Sequence, residues 1–99
     1  MSSPAGFVTE KRLMAQLIDL LTATGWMTYH TFDSRRSTAG FPDLIAIRGA
    51  RMLAIEVKSE AGRITPEQRA WLVALAAVPG VAAYVVRPAD DLSALVAIL

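Results

Sequence analysis

Asp43, Glu56 and Lys58 are the residues whose types and spacing first suggest chemistry. They flank two short apolar runs, residues 44–48 and 52–57, separated by Gly49-Ala50. A two-residue loop with glycine first suits a type II′ hairpin turn. That turn pairs residues whose numbers sum to 99, so Arg48 faces Arg51, Ile47 faces Met52 and Asp43 faces Glu56. Directly opposed residues carry Cβ atoms about 4.5–5.5 Å apart on one face. Two carboxylates so placed repel by about 3 kcal/mol at an effective dielectric near 20, which a fold tolerates when a cation or a proton lies between them. Lys58 emerges on the same face as Glu56, whereas Val57 turns the other way into the core. One end of the sheet thus offers two hard oxygen ligands and an ammonium, the set that phosphodiester hydrolysis requires. Mg²⁺ prefers one or two carboxylates together with water and phosphate oxygens. The ion activates water and neutralises developing charge, and a lysine beside it orients the water or stabilises the transition state. The spacing alone equally fits a strand-end Glu/Lys salt bridge near an unrelated acid.

Two polar residues on helices bear on that choice. Gln68 lies one helical step before Trp71, Leu72 and Leu75, on the stripe that faces the sheet. Thr65-x-x-Gln68 is also a capping box, which explains the glutamine without any site. Glu10 similarly precedes Leu13, Met14 and Leu17 on the first helix, where an acid in the first turn is favoured by the helix dipole. Unpaired polar groups on inward faces are costly, so two of them in a small core suggest one shared site. The loop Asp33-Ser34-Arg35-Arg36-Ser37 leads to the same place. Its paired arginines and flanking hydroxyls, Ser34 included, suit phosphate contacts, although a solvated surface turn has the same composition. His30 is the sole histidine and lies on the strand before this loop, open to substrate contact or to simple packing.

The elements that must position these residues follow from periodicity. Apolar residues at Leu13, Met14, Leu17, Leu20 and Leu21 predict a helix stopped by Gly25. An aromatic, threonine-rich stretch over 26–32 predicts a strand, and the two apolar runs of the hairpin predict two more. Thr65 as N-cap and Pro66 at the first helical position open a second helix that ends before Pro79-Gly80. Residues 81–87 form a fourth strand and residues 89–99 a terminal helix. The expected fold is α/β, in the order αβββαβ with a C-terminal helix. The first three strands form an antiparallel meander, and a right-handed crossover makes the fourth parallel. The hairpin is apolar on both faces and should lie centrally in a mixed four-stranded sheet covered by helices.

Composition sets the limits. Ninety-nine residues at 54% hydrophobic predict one domain, with Met1 to Gly6 as a flexible tail. The mean hydropathy of +0.39 is high for so small a chain and suggests that a second chain covers part of the surface. There are no cysteines, which excludes thiolate metal sites and cysteine nucleophiles. No apolar run reaches the roughly 18 residues of a membrane span, and the N-terminus lacks the pattern of a signal peptide. A cytoplasmic location is therefore expected, with no membrane partner. No glycine-rich phosphate loop is present, so no nucleotide cofactor is expected. Net charge is +1, but residues 34–70 carry seven bases, Arg63 among them, against four acids. A basic centre suits a polyanion.

The run Gly40-Phe41-Pro42-Asp43-Leu44, then Ile55-Glu56-Val57-Lys58, then Gly62-Arg63-Ile64-Thr65-Pro66-Glu67-Gln68 with Trp71, resembles the VRR-NUC family of the PD-(D/E)xK nuclease superfamily, small stand-alone phage and bacterial members in particular. The likeness extends from about Glu10 to Arg87, and Val85-Val86-Arg87 resembles the segment behind the family's name. It implies a restriction-endonuclease-like core and Mg²⁺ or Mn²⁺ as cofactor. By resemblance, Asp43, Glu56 and the backbone carbonyl of Val57 hold the metal and Lys58 is the catalytic lysine. Gln68 and Glu10 support water and metal, and His30, Ser34, Arg35, Arg36 and Arg63 meet DNA. The resulting expectation is a structure-selective DNA endonuclease acting on branched DNA as a Holliday-junction-resolvase-like homodimer, with the apolar last helix in its interface. In a bacterium or a phage-infected host it would work in the cytosol. A nickase or exonuclease of broad specificity, or a non-catalytic DNA-binding subunit on the same scaffold, are the alternatives. Intact Asp43, Glu56 and Lys58 favour the enzyme.

Overall fold

The structure, a computed structural model, describes residues 9–31 and 38–99. Helix α1 (Glu10–Ala23) is followed by strands β1 (Met27–His30), β2 (Leu44–Arg48) and β3 (Arg51–Val57), helix α2 (Pro66–Ala76), strand β4 (Val81–Val86) and helix α3 (Leu92–Ala97). The sheet order is β1-β2-β3-β4, antiparallel between the first three and parallel between β3 and β4. The order of elements and the mixed sheet match the sequence reading.

The hairpin register is the expected one, with Arg48 opposite Arg51 and Ile47 opposite Met52. Gly49 has a φ of +61° and Ala50 does not share a positive φ, the combination that separates a type II′ turn from type I′. The two opposed arginines tolerate each other because Trp26 lies beneath both, 4.4 Å from the Arg48 guanidinium and 5.7 Å from that of Arg51. Arg48 also donates to the carbonyls of Thr24 and Leu99 at 2.8 Å each, tying the end of α1 and the C-terminus to the hairpin.

Strand alternation divides the sheet into two unlike faces. Leu44, Ala46, Leu53, Ile55 and Val57 point to α1 and meet Leu13, Leu17 and Leu21 in the buried core. On the opposite face α2 covers β3 and β4. The β1–β2 half of that face stays open, with Met27 78% and Ile47 46% exposed. The hairpin is thus fully sandwiched only along β3, because α2, entering by the crossover, lies toward β4.

The last helix also differs from expectation. It spans six residues, and Val96 is buried with Leu92, Leu95 and Leu99 packed against the α1 core. Its apolar residues are spent inside the molecule, which leaves Ile98 as its exposed large hydrophobe and removes α3 as a broad interface. Among the described residues, no helix is long and apolar enough to cross a membrane.

Candidate active site

Ladder pairing ends at Leu44 opposite Ile55, so Asp43 and Glu56 stand next in register at the open end of the hairpin. Two local features hold Asp43 there. Its Oδ2 accepts a hydrogen bond from the backbone N–H of Val57 at 3.0 Å, and its carbonyl accepts one from the N–H of Thr31 at 2.9 Å. Upstream, Gly40 adopts a φ of +89°, and a Cβ there would lie 2.5 Å from the carbonyl carbon of Glu67. Only glycine lets this loop press on the first turn of α2, which brings Asp43 and Gln68 to the same end of the sheet.

Glu56 is the buried charged residue of the described chain, at 2% exposure. Its Oε1 has no hydrogen-bond partner; Trp26 Nε1 is the other buried side-chain atom in that condition among the described residues. Its Oε2 accepts from Gln68 Nε2 at 3.4 Å. Burial, then the neighbouring Asp43 carboxylate, push the Glu56 carboxyl up to about 8, with Glu10 adding to the rise and the Lys58 ammonium opposing it. An orphaned carboxylate oxygen beside a second carboxylate is costly as it stands. A hard divalent cation would satisfy both, so the donor set fits Mg²⁺ or Mn²⁺.

Gln68 serves two purposes at once. Its Oε1 accepts from the N–H of Thr65 at 2.9 Å and its N–H donates to Thr65 Oγ1 at 3.1 Å, closing the capping box. The remaining amide NH₂ is what reaches Glu56. Glu10 is exposed rather than inward-facing, yet it lines a cavity of about 250 Å³ together with Lys11, Met14, His30, Asp43 and Val57. His30 therefore faces the carboxylate end from the α1 side of β1. Glu10 does not complete a cluster of three acids or imidazoles able to hold a metal, and no such cluster exists among the described residues. Arg63 is exposed in the segment between β3 and α2. Ser34, Arg35 and Arg36 lie outside the described residues.

One further residue has a role that its place in the sequence does not disclose. Arg87, just past β4, donates through Nη1 to the carbonyls of Ser59 at 2.7 Å, Gly62 at 2.6 Å and Glu60 at 3.3 Å. Glu60 Oε1 accepts in turn from the N–H of Ala89 at 3.0 Å. This clasp fixes the turn that follows Lys58, whose own N–H donates to Val86 O at 2.9 Å. The turn lies beside the lysine stem: a Cβ added at Gly62 would stand 3.5 Å from Lys58 Cδ. The sequence signal was a lone arginine ending an apolar strand, and nothing in it pairs that arginine with carbonyls twenty-five residues away.

Comparison with known proteins identifies the fold and the family. A solved structure described as a VRR_NUC domain protein shares 23% identity at a TM-score of 0.65, covering 92% of this chain and 84% of that one. The Holliday junction resolvase Hjc of the archaeal hyperthermophile Archaeoglobus fulgidus shares 28% identity at a TM-score of 0.54, covering 83% of this chain and 68% of that one. The fold is therefore restriction-endonuclease-like. No curated protein matches the sequence. The VRR-NUC domain model matches residues 3–90, nearly the whole chain. With that match and the paired carboxylates in place, the chain belongs to the VRR-NUC domain family.

Proposed function

We propose that this protein is a divalent-metal-dependent DNA endonuclease of the PD-(D/E)xK type that hydrolyses phosphodiester bonds in branched DNA as a homodimer. The observation that carries this reading is the buried Glu56 carboxyl, with one oxygen unpartnered, beside Asp43. Membership in the VRR-NUC family and likeness to a junction resolvase support the nuclease class and the branched substrate. Asp43, Glu56 and the Val57 carbonyl would hold the ion. A bound Mg²⁺ or Mn²⁺ supplies Lewis acidity toward phosphate oxygens and an acidified water. Lys58 presents its ammonium where negative charge develops on the phosphoryl group. Gln68 holds Glu56 in one orientation, and Glu10 and His30 border the cavity from the α1 side. Arg35, Arg36, Ser34 and Arg63 are assigned to the DNA backbone, which they would position without reading bases. One site cuts one strand, and symmetric cleavage of a four-way junction needs two sites, which a two-fold dimer provides.

The test is cleavage of linear duplex, flap and four-way junction DNA with Mg²⁺, Mn²⁺ or EDTA. Paired nicks in the junction that vanish with EDTA are expected. Asp43→Asn and Glu56→Gln should each abolish cleavage while leaving DNA binding largely intact. Full activity in both variants would remove the site assignment, and equal cutting of duplex and junction would remove the branched-DNA preference alone.

A further inference from the structure

The molecule keeps its charges apart. No acidic side chain occurs from Leu20 to Thr31, from Leu44 to Ile55 or from Ala70 to Val86. These stretches supply the end of α1, all of β1, the β2–β3 turn and the start of β4, which meet at the end of the sheet away from the carboxylates. The charged side chains there are Arg48 and Arg51, directly opposed in register. Acids gather elsewhere. Asp43 and Glu56 stand at the open end of the hairpin, and Asp19, Asp90 and Asp91 surround a cavity between α1 and the start of α3.

The two arginines differ in what they can still bind. Arg48 donates to the carbonyls of Thr24 and Leu99 and lies on the buried Trp26 ring, so it is held in place. Arg51 is exposed, stands 5.7 Å from the same ring and donates no hydrogen bond among the described residues. A ring face satisfies none of the five N–H groups of a guanidinium, which therefore remain available. Directly opposed like charges destabilise a hairpin, and no acidic side chain at this end offsets them. A polyanion would. A path also leads to it from the candidate active site. Lys11 lines the cavity that holds Asp43 and His30, so the side of α1 toward β1 is the one that begins at Lys11. At helical spacing this line continues through Ala15, Ile18 and Thr22, and β1 turns Thr28 toward the same helix. The flank thus carries a base at each end and no acid between, whereas Asp19 lies on the α3 side.

We propose that a duplex arm of the DNA leaves the carboxylate end along this α1–β1 flank, and that Arg51 at the hairpin tip binds one of its backbone phosphates. The spacing sets which one. Arg51 lies five residues before Glu56 on β3, about 17 Å at the rise of an extended strand. A DNA strand advances about 3.4 Å per nucleotide, so the phosphate lies about five nucleotides from the scissile bond. Arg48 and Trp26 brace the tip, and Arg51 makes the contact. The choice of DNA as the polyanion rests on the nuclease reading; the separation of charges does not. Contact with a phosphate adds affinity and orientation without reading sequence.

Footprinting from the tip tests the path. The chain has no cysteine, so Ala50→Cys, at an exposed turn position, carries a single tethered iron chelate. With the full chain bound to four-way junction DNA in Ca²⁺, hydroxyl radicals from the chelate should cut the backbone about five to seven nucleotides from the bond that unlabelled protein nicks in Mg²⁺. The same chelate on Ser93→Cys, on the acidic α3 side, should leave that stretch intact. Affinity supplies the second readout. Arg51→Ala should flatten the plot of log affinity against log salt by about 1, and Arg51→Lys should restore the slope. Arg69→Ala, which removes an exposed base from α2, should leave it unchanged. Cuts from Ser93→Cys instead of Ala50→Cys, an unchanged slope in Arg51→Ala, or an equal loss in Arg69→Ala would each overturn the assignment. Metal-dependent nicking separates this from the functional reading. Nicking without a footprint from the turn removes the path only, whereas a footprint on a junction that is never nicked removes the nuclease only.

Discussion

Gln68 donates through Nε2 to Oε2 of Glu56 at 3.4 Å while its Oε1 accepts from the N–H of Thr65 at 2.9 Å. The capping box of α2 and the candidate catalytic carboxylate are thus joined through one amide. Because the amide oxygen is fixed by the cap, the amide nitrogen can only face the acid. The two roles can be separated by substitution. Gln68→Glu keeps an acceptor for the cap, since glutamate serves in capping boxes as well as glutamine, but places a third carboxylate against Glu56. Thermal melting near the wild-type temperature together with a large loss of cleavage is expected. Gln68→Ala should lose both, with the melting temperature falling by an amount equivalent to about 1 kcal/mol or somewhat more. Full cleavage by Gln68→Glu would reduce the residue to its cap.

The pH dependence of stability follows from Glu56. Its carboxyl titrates at about 8 in the folded, metal-free protein, against 4.5 when solvated, because burial and then Asp43 disfavour the charge. Between those values the native state holds a proton that the unfolded chain has released. Stability is therefore complete below about pH 4.5 from this group, and falls as pH rises toward 8. In EDTA, melting temperature should decline from pH 5 to pH 8 in the wild type and stay flatter in Glu56→Gln. Added Mg²⁺ should reverse the decline with release of a proton, because the ligand must be ionised. An identical pH slope in Glu56→Gln would assign the titration elsewhere.

Much of this site was legible in the sequence because hairpin geometry is rigid. A two-residue loop with glycine first leaves one register, and that register places Asp43 against Glu56 without reference to the rest of the fold. Gln68 was readable for the same reason, being fixed three residues from a Thr N-cap. What could not be read depends on packing between distant segments. The clasp of Arg87 on the carbonyls of Ser59 and Gly62 joins residues related only by the parallel pairing of β3 and β4. The uncovered half of the sheet depends on where the crossover sets α2 down, which periodicity does not record. Glu10 reads as inward by its place before Leu13 and Met14, but as the first residue of α1 it precedes the buried stripe and its side chain is exposed.

Arg35 and Arg36 yield a prediction from charge alone. Each phosphate neutralised by a basic side chain releases condensed counterions, so affinity falls with salt in proportion to the number of phosphates engaged. Replacing both arginines with alanine should weaken binding on every DNA sequence. It should also flatten the plot of log affinity against log salt, by about 1 for each phosphate that is no longer neutralised. Fluorescence anisotropy across a salt series in Ca²⁺, to suppress cleavage, measures that slope. An unchanged slope would return the pair to an ordinary solvated loop.

Arg87 acts on Lys58 at one remove, through the turn it fixes. The guanidinium satisfies the carbonyls of Ser59 and Gly62 at 2.7 and 2.6 Å. Gly62 in turn lies beside the aliphatic stem of Lys58, near enough that a Cβ added there would stand 3.5 Å from Lys58 Cδ. Loss of the clasp frees the turn and lets the ammonium wander, and a displacement of about 1 Å in such a group can cost on the order of 100-fold in rate. Arg87→Ala should therefore lower kcat by about 10-fold to 100-fold while leaving KM and the salt slope of DNA binding close to wild type. Arg87→Lys, with one point charge in place of a planar fork, should recover part of the rate. A purely structural role predicts something else: a lower melting temperature with kcat per folded molecule unchanged. The decisive quantity is kcat measured well below the melting transition of each variant, normalised to the folded fraction. If that normalised kcat is unaffected in Arg87→Ala, the arginine holds the loop without placing the lysine.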